Sequence, residues 1–119
     1  SKDITIAKAD ENLLDRIIEF IDNNMGNSQF KIEEISQEIG MSHSVLYRKI
    51  NAITGLSLIE FIRTVRLKRA AELLANYNVT VSKASFDVGF TDPKYFSKSF
   101  QKFFGLTPSD YISKYRKSR

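Results

Sequence analysis

Two stretches of the chain repeat one pattern, and this repeat limits the possible folds more than any other feature of the sequence. Gly40 matches Gly89 at an offset of 49 residues, and Gly55 matches Gly105 at an offset of 50. Apolar positions coincide between the same stretches, so the change of offset places one additional residue in the turn of the second copy. The chain therefore contains two copies of one structural unit.

Each copy is predicted to be a short helix, a tight turn and a second helix. Apolar residues recur at intervals of three and four, which is the period of an amphipathic α-helix. Ser42 and Asp92 are suited to cap the second helices, and Pro93 suits a first helical position. This order is the helix-turn-helix arrangement. One copy alone would also fit an ordinary helical hairpin, but two copies with the same turn and caps make chance a poor explanation.

The remaining segments are also predicted to be helical, which gives an all-α fold of about seven helices in two helix-turn-helix subdomains joined by a long central helix. An apolar stripe predicts a first helix from about Glu11 to Met25, and Gly26 could supply its left-handed cap. A run without a helix breaker predicts the central helix, of about 20 residues, from Ser57 to about Asn76. The predicted divisions are an N-terminal acidic helix and linker (1–30), a first helix-turn-helix (31–56), a connecting helix (57–77), and a second helix-turn-helix with a final helix (78–116).

Composition removes most classes of catalytic and metal site. The chain has no Cys and a single His, His43, so neither a Cys-ligated zinc site nor a cluster of imidazoles can form. The apolar runs are far shorter than the roughly 18 residues that cross a bilayer. We expect a cytoplasmic protein that is not an enzyme and that uses no cofactor or metal.

Charge is distributed unevenly along the chain, whose formal net charge is +4. Residues 1–30 contain three basic and six acidic side chains, whereas residues 79–119 contain eight basic and three acidic ones. This asymmetry suggests a polyanionic partner, either nucleic acid or a membrane surface, although basic residues also simply solvate helix faces. Membrane binding would require exposed bulky apolar residues, and here the apolar stripes are needed for the core.

The outward faces of the two second helices carry matched polar side chains. Four positions at i, i+3, i+4 and i+7 share the face in the first copy, namely Ser44, Tyr47, Arg48 and Asn51. The aligned positions in the second copy are Lys94, Ser97, Lys98 and Gln101. Arg and Lys can bind guanine, and Asn and Gln can pair with adenine, in a major groove. A polar outer face on one helix needs no function, but matched faces on two repeated helices favour DNA reading.

Three motifs give the chain a family resemblance, namely IGMSHSVLYRKI at 39–50, RLKRAAELL at 66–74 and VGFTDPKYFSKSFQKFFGLTP at 88–108. Over about residues 28–116 the chain resembles the DNA-binding domain of AraC/XylS-type transcription regulators. The segments LYRK at 46–49 and FIR at 61–63 are most similar to the version at the C-terminus of bacterial hybrid two-component regulators.

The resemblance implies double-stranded DNA as the partner, with the two second helices in successive major grooves on one face of the DNA. The base-contacting positions that it implies are His43, Ser44, Tyr47, Arg48, Lys94, Ser97 and Lys98. The phosphate-contacting positions are Ile32, Asn51, Val81, Gln101 and Lys102. RNA polymerase is a further candidate partner, and a homodimer is expected only together with upstream domains.

Some positions depart from the family pattern, and one alternative function stays open. The family has Ala where Ser36 and Ser85 stand, and we expect these small changes to be tolerated. It has Ile where Ala84 stands, which is expected to thin the second core. The acidic first helix does not favour DNA, so the alternative is a helical protein-interaction module whose polar faces dock a partner.

Overall fold

The computed structural model describes residues 7–27 and 31–117, and all regular secondary structure in these ranges is α-helical. The prediction of an all-α fold is confirmed. The seven helices are α1 (Lys8–Asn23), α2 (Ile32–Ile39), α3 (His43–Thr54), α4 (Leu58–Asn76), α5 (Val81–Asp87), α6 (Pro93–Phe104) and α7 (Pro108–Tyr115).

The described chain divides into two compact units, each with one helix-turn-helix pair. Unit 1 comprises residues 7–24 and 31–62, and it contains α2 and α3. Unit 2 comprises residues 25–27 and 63–117, and it contains α5 and α6. The long helix α4 begins in unit 1 and continues into unit 2, so the connection between the units is itself helical.

Side-chain caps begin the second helices of the two copies as the sequence predicts. The Ser42 hydroxyl accepts from the backbone N–H of Val45 at 3.4 Å, and the Asp92 carboxylate accepts from the N–H of Lys94 at 3.0 Å. Both second helices end at a left-handed glycine, with φ angles of 76° in α3 and 78° in α6. The local backbone therefore repeats together with the sequence.

The predicted limits of α1 were wrong at both ends. Its apolar stripe begins at Leu13, but the helix begins more than one turn earlier with exposed residues that a hydrophobic pattern does not reveal. At the other end, Gly26 is not among the glycines with positive φ. Asn24 is the C-cap instead, and its side-chain amide donates to the Phe20 carbonyl at 2.9 Å. A side chain that satisfies a last-turn carbonyl makes a left-handed glycine unnecessary.

Each unit buries its own apolar side chains. In unit 1 these come from α1, α2, α3 and the first turn of α4, and they are Leu13, Ile17, Ile21, Ile35, Ile39, Leu46, Ile50, Leu58 and Phe61. Unit 2 combines aliphatic side chains of α4 and α5 with aromatic ones, of which Phe96 and Phe100 are fully buried. The Phe100 ring centroid lies 4.5 Å from that of Phe104 and 5.3 Å from that of Tyr111. The buried face of α6 is therefore fixed by several aromatic contacts.

A buried arginine on α4 connects three segments of unit 2. Arg66 is 8% exposed, and its guanidinium donates to the carbonyls of Met25, Asn27 and Val88. Burial lowers the pKa of Arg66 from its ordinary value because removal from water disfavours the charged form. Gly89, which follows the carbonyl at Val88, has a φ of 97° and leaves no room for a side chain beside this guanidinium.

Gly89→Ala is expected to destabilise the fold far more than Gly105→Ala. Both residues lie in unit 2 with positive φ, where a side chain costs about 1–2 kcal/mol. At Gly105 a Cβ has open space, so no further cost is expected. At Gly89 it would collide with the guanidinium of Arg66 and displace it from its carbonyls, for a total of about 3 kcal/mol or more. Urea unfolding of both variants measures the difference, and equal losses would contradict the packing role of Gly89.

Ser36→Ala is expected to stabilise unit 1, whereas Ser85→Ala is not expected to stabilise unit 2. The Ser36 hydroxyl is buried without a hydrogen-bond partner among the described residues, so its removal should recover about 1 kcal/mol. The Ser85 hydroxyl donates to the Ser82 carbonyl at 2.8 Å, and its loss should cost a similar amount. Alanine raises helix propensity equally at both sites, so the difference in unfolding free energy isolates the hydrogen bond. A gain at Ser85 equal to that at Ser36 would contradict this assignment.

Candidate nucleic-acid interface

The predicted face of α3 is exposed along its length. His43, Ser44, Tyr47, Arg48 and Asn51 all lie at the surface of unit 1. The rings of His43 and Tyr47 are stacked, with centroids 6.2 Å apart and planes inclined by 20°. The first two turns of α3 therefore present an aromatic pair together with polar side chains.

Arg48 lies along the same face and points back toward the start of α3. Its Nε donates to the Ser44 carbonyl at 3.4 Å, which orients the guanidinium toward the N-terminal turn. Among the residues that the structure describes, Arg48 makes no ion pair. Its charge is therefore not neutralised by a neighbouring carboxylate.

The matching face of α6 is more strongly basic. Lys94, Lys98 and Lys102 follow one another at intervals of four residues, and all three are exposed. None of them pairs with a carboxylate in the described parts of the chain. Gln101 is exposed on the same side, whereas Ser97 is half-buried. The structure thus leaves a row of three free ammonium groups on this helix.

The predicted phosphate positions Ile32 and Val81 are the first residues of α2 and α5, and both side chains are half-buried. A phosphate there would be bound by backbone N–H groups rather than by these side chains. The two helix starts differ, because the first turn of α2 carries Glu33 and Glu34 whereas that of α5 carries Lys83. Nearby carboxylates oppose anion binding at α2.

One aromatic residue at the start of α6, Tyr95, lies at the surface beside the predicted face and was not predicted from the sequence. The Tyr95 ring is 48% exposed and packs against Phe90, with ring centroids 6.0 Å apart. The Arg63 guanidinium carbon lies 6.0 Å from the Tyr95 ring centroid, the outer limit of a cation–π contact. The repeat could not reveal this pair because the aligned residue is Val45. An exposed aromatic in a polar first turn is the signal that could have done so.

Residues 7–27 and 31–117 contain no group of three or more His, Cys, Asp or Glu residues placed to hold a metal ion. None of the helices in these ranges is long and apolar enough to cross a membrane.

Comparison with known proteins identifies the family. The model of a family described as "Helix-turn-helix domain" matches residues 35–114, which is more than half of the chain. The chain belongs to the AraC-type helix-turn-helix family. This is a family of DNA-binding transcription regulators and not a family of enzymes. The AraC-type chain is accordingly a sequence-specific DNA-binding domain for transcription regulation.

Individual relatives agree with this assignment. The AraC-type chain is 47% identical over 113 residues to histidine kinase P4 of Formosa agariphila. The aligned region is 95% of this chain but 8% of the kinase. It is 33% identical to the HTH-type transcriptional activator RhaR of Salmonella dublin, covering 88% of the chain and 37% of RhaR. It also resembles the solved C-terminal domain of AraT, a response regulator from Geobacillus stearothermophilus, with 26% identity and a TM-score of 0.77. The match covers 90% of this chain and 88% of the AraT domain.

The chain thus spans well under half the length of these two curated relatives. None of the comparisons tests which side chains touch DNA. The base and phosphate contacts named above therefore remain predictions for the AraC-type chain.

Proposed function

We propose that this domain reads double-stranded DNA with the outer faces of α3 and α6, each placed in a major groove. The observation that carries the proposal is the repetition of a polar face on two capped second helices, with Arg48 and Lys98 at equivalent positions. Two such faces would recognise an asymmetric site as a monomer, because no dyad is needed to supply the second reader.

Each exposed side chain suits one kind of contact. Arg48 can form a bidentate pair with O6 and N7 of guanine, and Lys94 and Lys98 can reach the same atoms with a less rigid geometry. Ser44 and Ser97 can bond to bases as donors or acceptors, and the stacked His43 and Tyr47 rings offer both polar and apolar edges. We assign phosphate binding to Asn51, Gln101 and Lys102 and to the helix start at Val81, and a weaker phosphate contact to the helix start at Ile32, where Glu33 and Glu34 oppose it.

We also propose that the domain is the output part of a cytoplasmic signalling protein. One relative is named as a histidine kinase and one structural relative as a response regulator, and both carry a domain similar to this chain. The small share of the kinase that the chain spans fits an output domain attached to sensor and kinase parts. In this setting dimerisation would come from upstream domains, and RNA polymerase is the partner that a DNA-bound regulator would engage.

An interaction module is the second candidate, and the surface of α1 is the observation that favours it. Four carboxylates are exposed along α1, namely Glu11, Asp15, Glu19 and Asp22. None of them forms an ion pair within residues 7–27 and 31–117. Such a face repels DNA and attracts a basic protein surface.

Selection of random duplex DNA by the purified chain, followed by sequencing of the retained pool, tests the proposed function. We expect enrichment of two short sequence blocks about one helical turn apart, since each second helix would read one block. A pool that shows no enrichment, together with no retention on a DNA column at moderate salt, would favour the interaction module instead.

Arg48→Ala is expected to relax specificity at one base position. The loss of a bidentate guanine contact should cost about 1–3 kcal/mol for the selected site and little for sequences that already lack that guanine. Binding titrations with the selected duplex and its single-base variants measure the effect. Lys49→Ala is the matched control, because Lys49 is the exposed neighbouring cation outside the polar face.

Lys102→Ala should behave differently because its predicted contact is to phosphate. We expect weaker binding to all sequences and a decrease of about one in the salt slope. The base-reading role of Arg48 would be contradicted if Arg48→Ala weakened all sequences alike, as Lys102→Ala should.

A further inference from the structure

Net charge separates the two units sharply. The described part of unit 1 contains five basic and nine acidic side chains, a net charge of −4. The described part of unit 2 contains eleven basic and four acidic side chains, a net charge of +7. The overall charge of the chain conceals this difference, because a small positive total is what remains after two large opposite values.

The same contrast holds in the elements that would touch DNA. In unit 1, α2 carries three exposed carboxylates, of Glu33, Glu34 and Glu38, and α3 carries only two cations, Arg48 and Lys49. In unit 2, α6 carries three exposed lysines and no acidic residue. In α5, Lys83 is paired with Asp87 at 2.8 Å, so this pair adds little net charge.

These charges predict unequal contributions to binding. Affinity for DNA of any sequence comes mainly from phosphate neutralisation and the release of counterions, which requires unpaired cations. Unit 2 supplies such cations in a row, whereas unit 1 opposes the phosphates with its own carboxylates. The side chains that unit 1 does offer, namely the His43–Tyr47 stack and Arg48, are suited to bases and not only to charge.

We propose that unit 2 holds DNA of any sequence by charge, and that unit 1 binds only where base contacts compensate its negative charge. This inference rests on the proposed DNA-binding function and adds a division of roles to it. Unit 2 accounts for the salt dependence of binding and for the search along non-specific DNA. Unit 1 supplies the larger part of the discrimination between sequences, and the base contacts proposed for Lys94 and Lys98 supply the rest.

Two matched double variants of the full 119-residue chain test the division. Arg48→Ala with Lys49→Ala removes two cations from α3, and Lys98→Ala with Lys102→Ala removes two from α6. Binding of each to the selected duplex and to a scrambled duplex of equal length is titrated by fluorescence anisotropy from about 50 to about 300 mM KCl, a range over which phosphate contacts lose most of their strength. Thermal unfolding verifies that both variants are folded.

The α6 variant should lose roughly tenfold or more in affinity for both duplexes, and its salt slope should decrease by about two. The α3 variant should change affinity for the scrambled duplex by less than about twofold and keep its salt slope, while its affinity for the selected duplex falls toward the scrambled value. Equal flattening of the scrambled-duplex slope by the two variants would overturn the division of roles. If the unmodified chain bound neither duplex, the proposed function itself would fail.

A third variant tests the repulsion directly. Glu33→Gln with Glu34→Gln removes two exposed charges beside α3 and retains side chains of the same length. We expect affinity for the selected duplex to increase by about threefold or more at low salt, with a steeper salt slope, because unit 1 then carries two fewer negative charges and opposes the phosphates less. An unchanged affinity and slope would show that the acidic face does not oppose binding, and would overturn this part of the inference.

Discussion

Unit 2 depends on one buried cation. A guanidinium taken out of water costs free energy unless its N–H groups are paired, so Arg66 stabilises the fold only while the carbonyls that accept from it stay in place. Those carbonyls belong to the segment after α1 and to the end of α5. Because α5 leads through Gly89 into the turn before α6, the packing of Arg66 against that turn helps to fix the orientation of α6 and of the face proposed to read DNA.

Unit 1 contains a weaker version of the same connection. At the offset of 50 residues Arg16 of α1 corresponds to Arg66 of α4, and Arg16 also donates to a carbonyl at the end of the following helix, that of Glu38, at 2.9 Å. The repeat therefore extends beyond the helix-turn-helix pairs to the helix that supports each of them. Arg16 is exposed, however, and a hydrogen bond in water contributes less than one in a buried site.

The helices, caps and turn glycines could be predicted from the sequence because each depends on residues close together in the chain. Ser42, Asp92 and the left-handed glycines act within a few residues of their own positions, and period and cap chemistry are sufficient to find them. The role of Arg66 could not be predicted, because its partners lie 22 to 41 residues away. The acidic N-terminal and basic C-terminal stretches could be read from the sequence, but the boundary at which the charge changes could not, since α4 passes from one unit to the other without any break in the sequence. The spacing of polar residues predicts which sides of α3 and α6 are exposed. It does not reveal that the exposed Tyr95 lies at the start of α6.

The burial of the connecting arginine and the net charge differ together between the units. The unit with the buried arginine also carries the row of free lysines, and the unit with the exposed arginine carries the acidic helices. The carboxylates of α2 oppose the phosphates of every sequence, so a non-cognate sequence offers unit 1 too little to compensate them. This opposition acts alike on correct and incorrect sites, so it does not itself enlarge the difference between two sites that unit 1 occupies; its effect is that unit 1 stays off a site whose bases do not match. Affinity for such a site is then that of unit 2 alone, whereas a correct set of bases adds the contacts of unit 1.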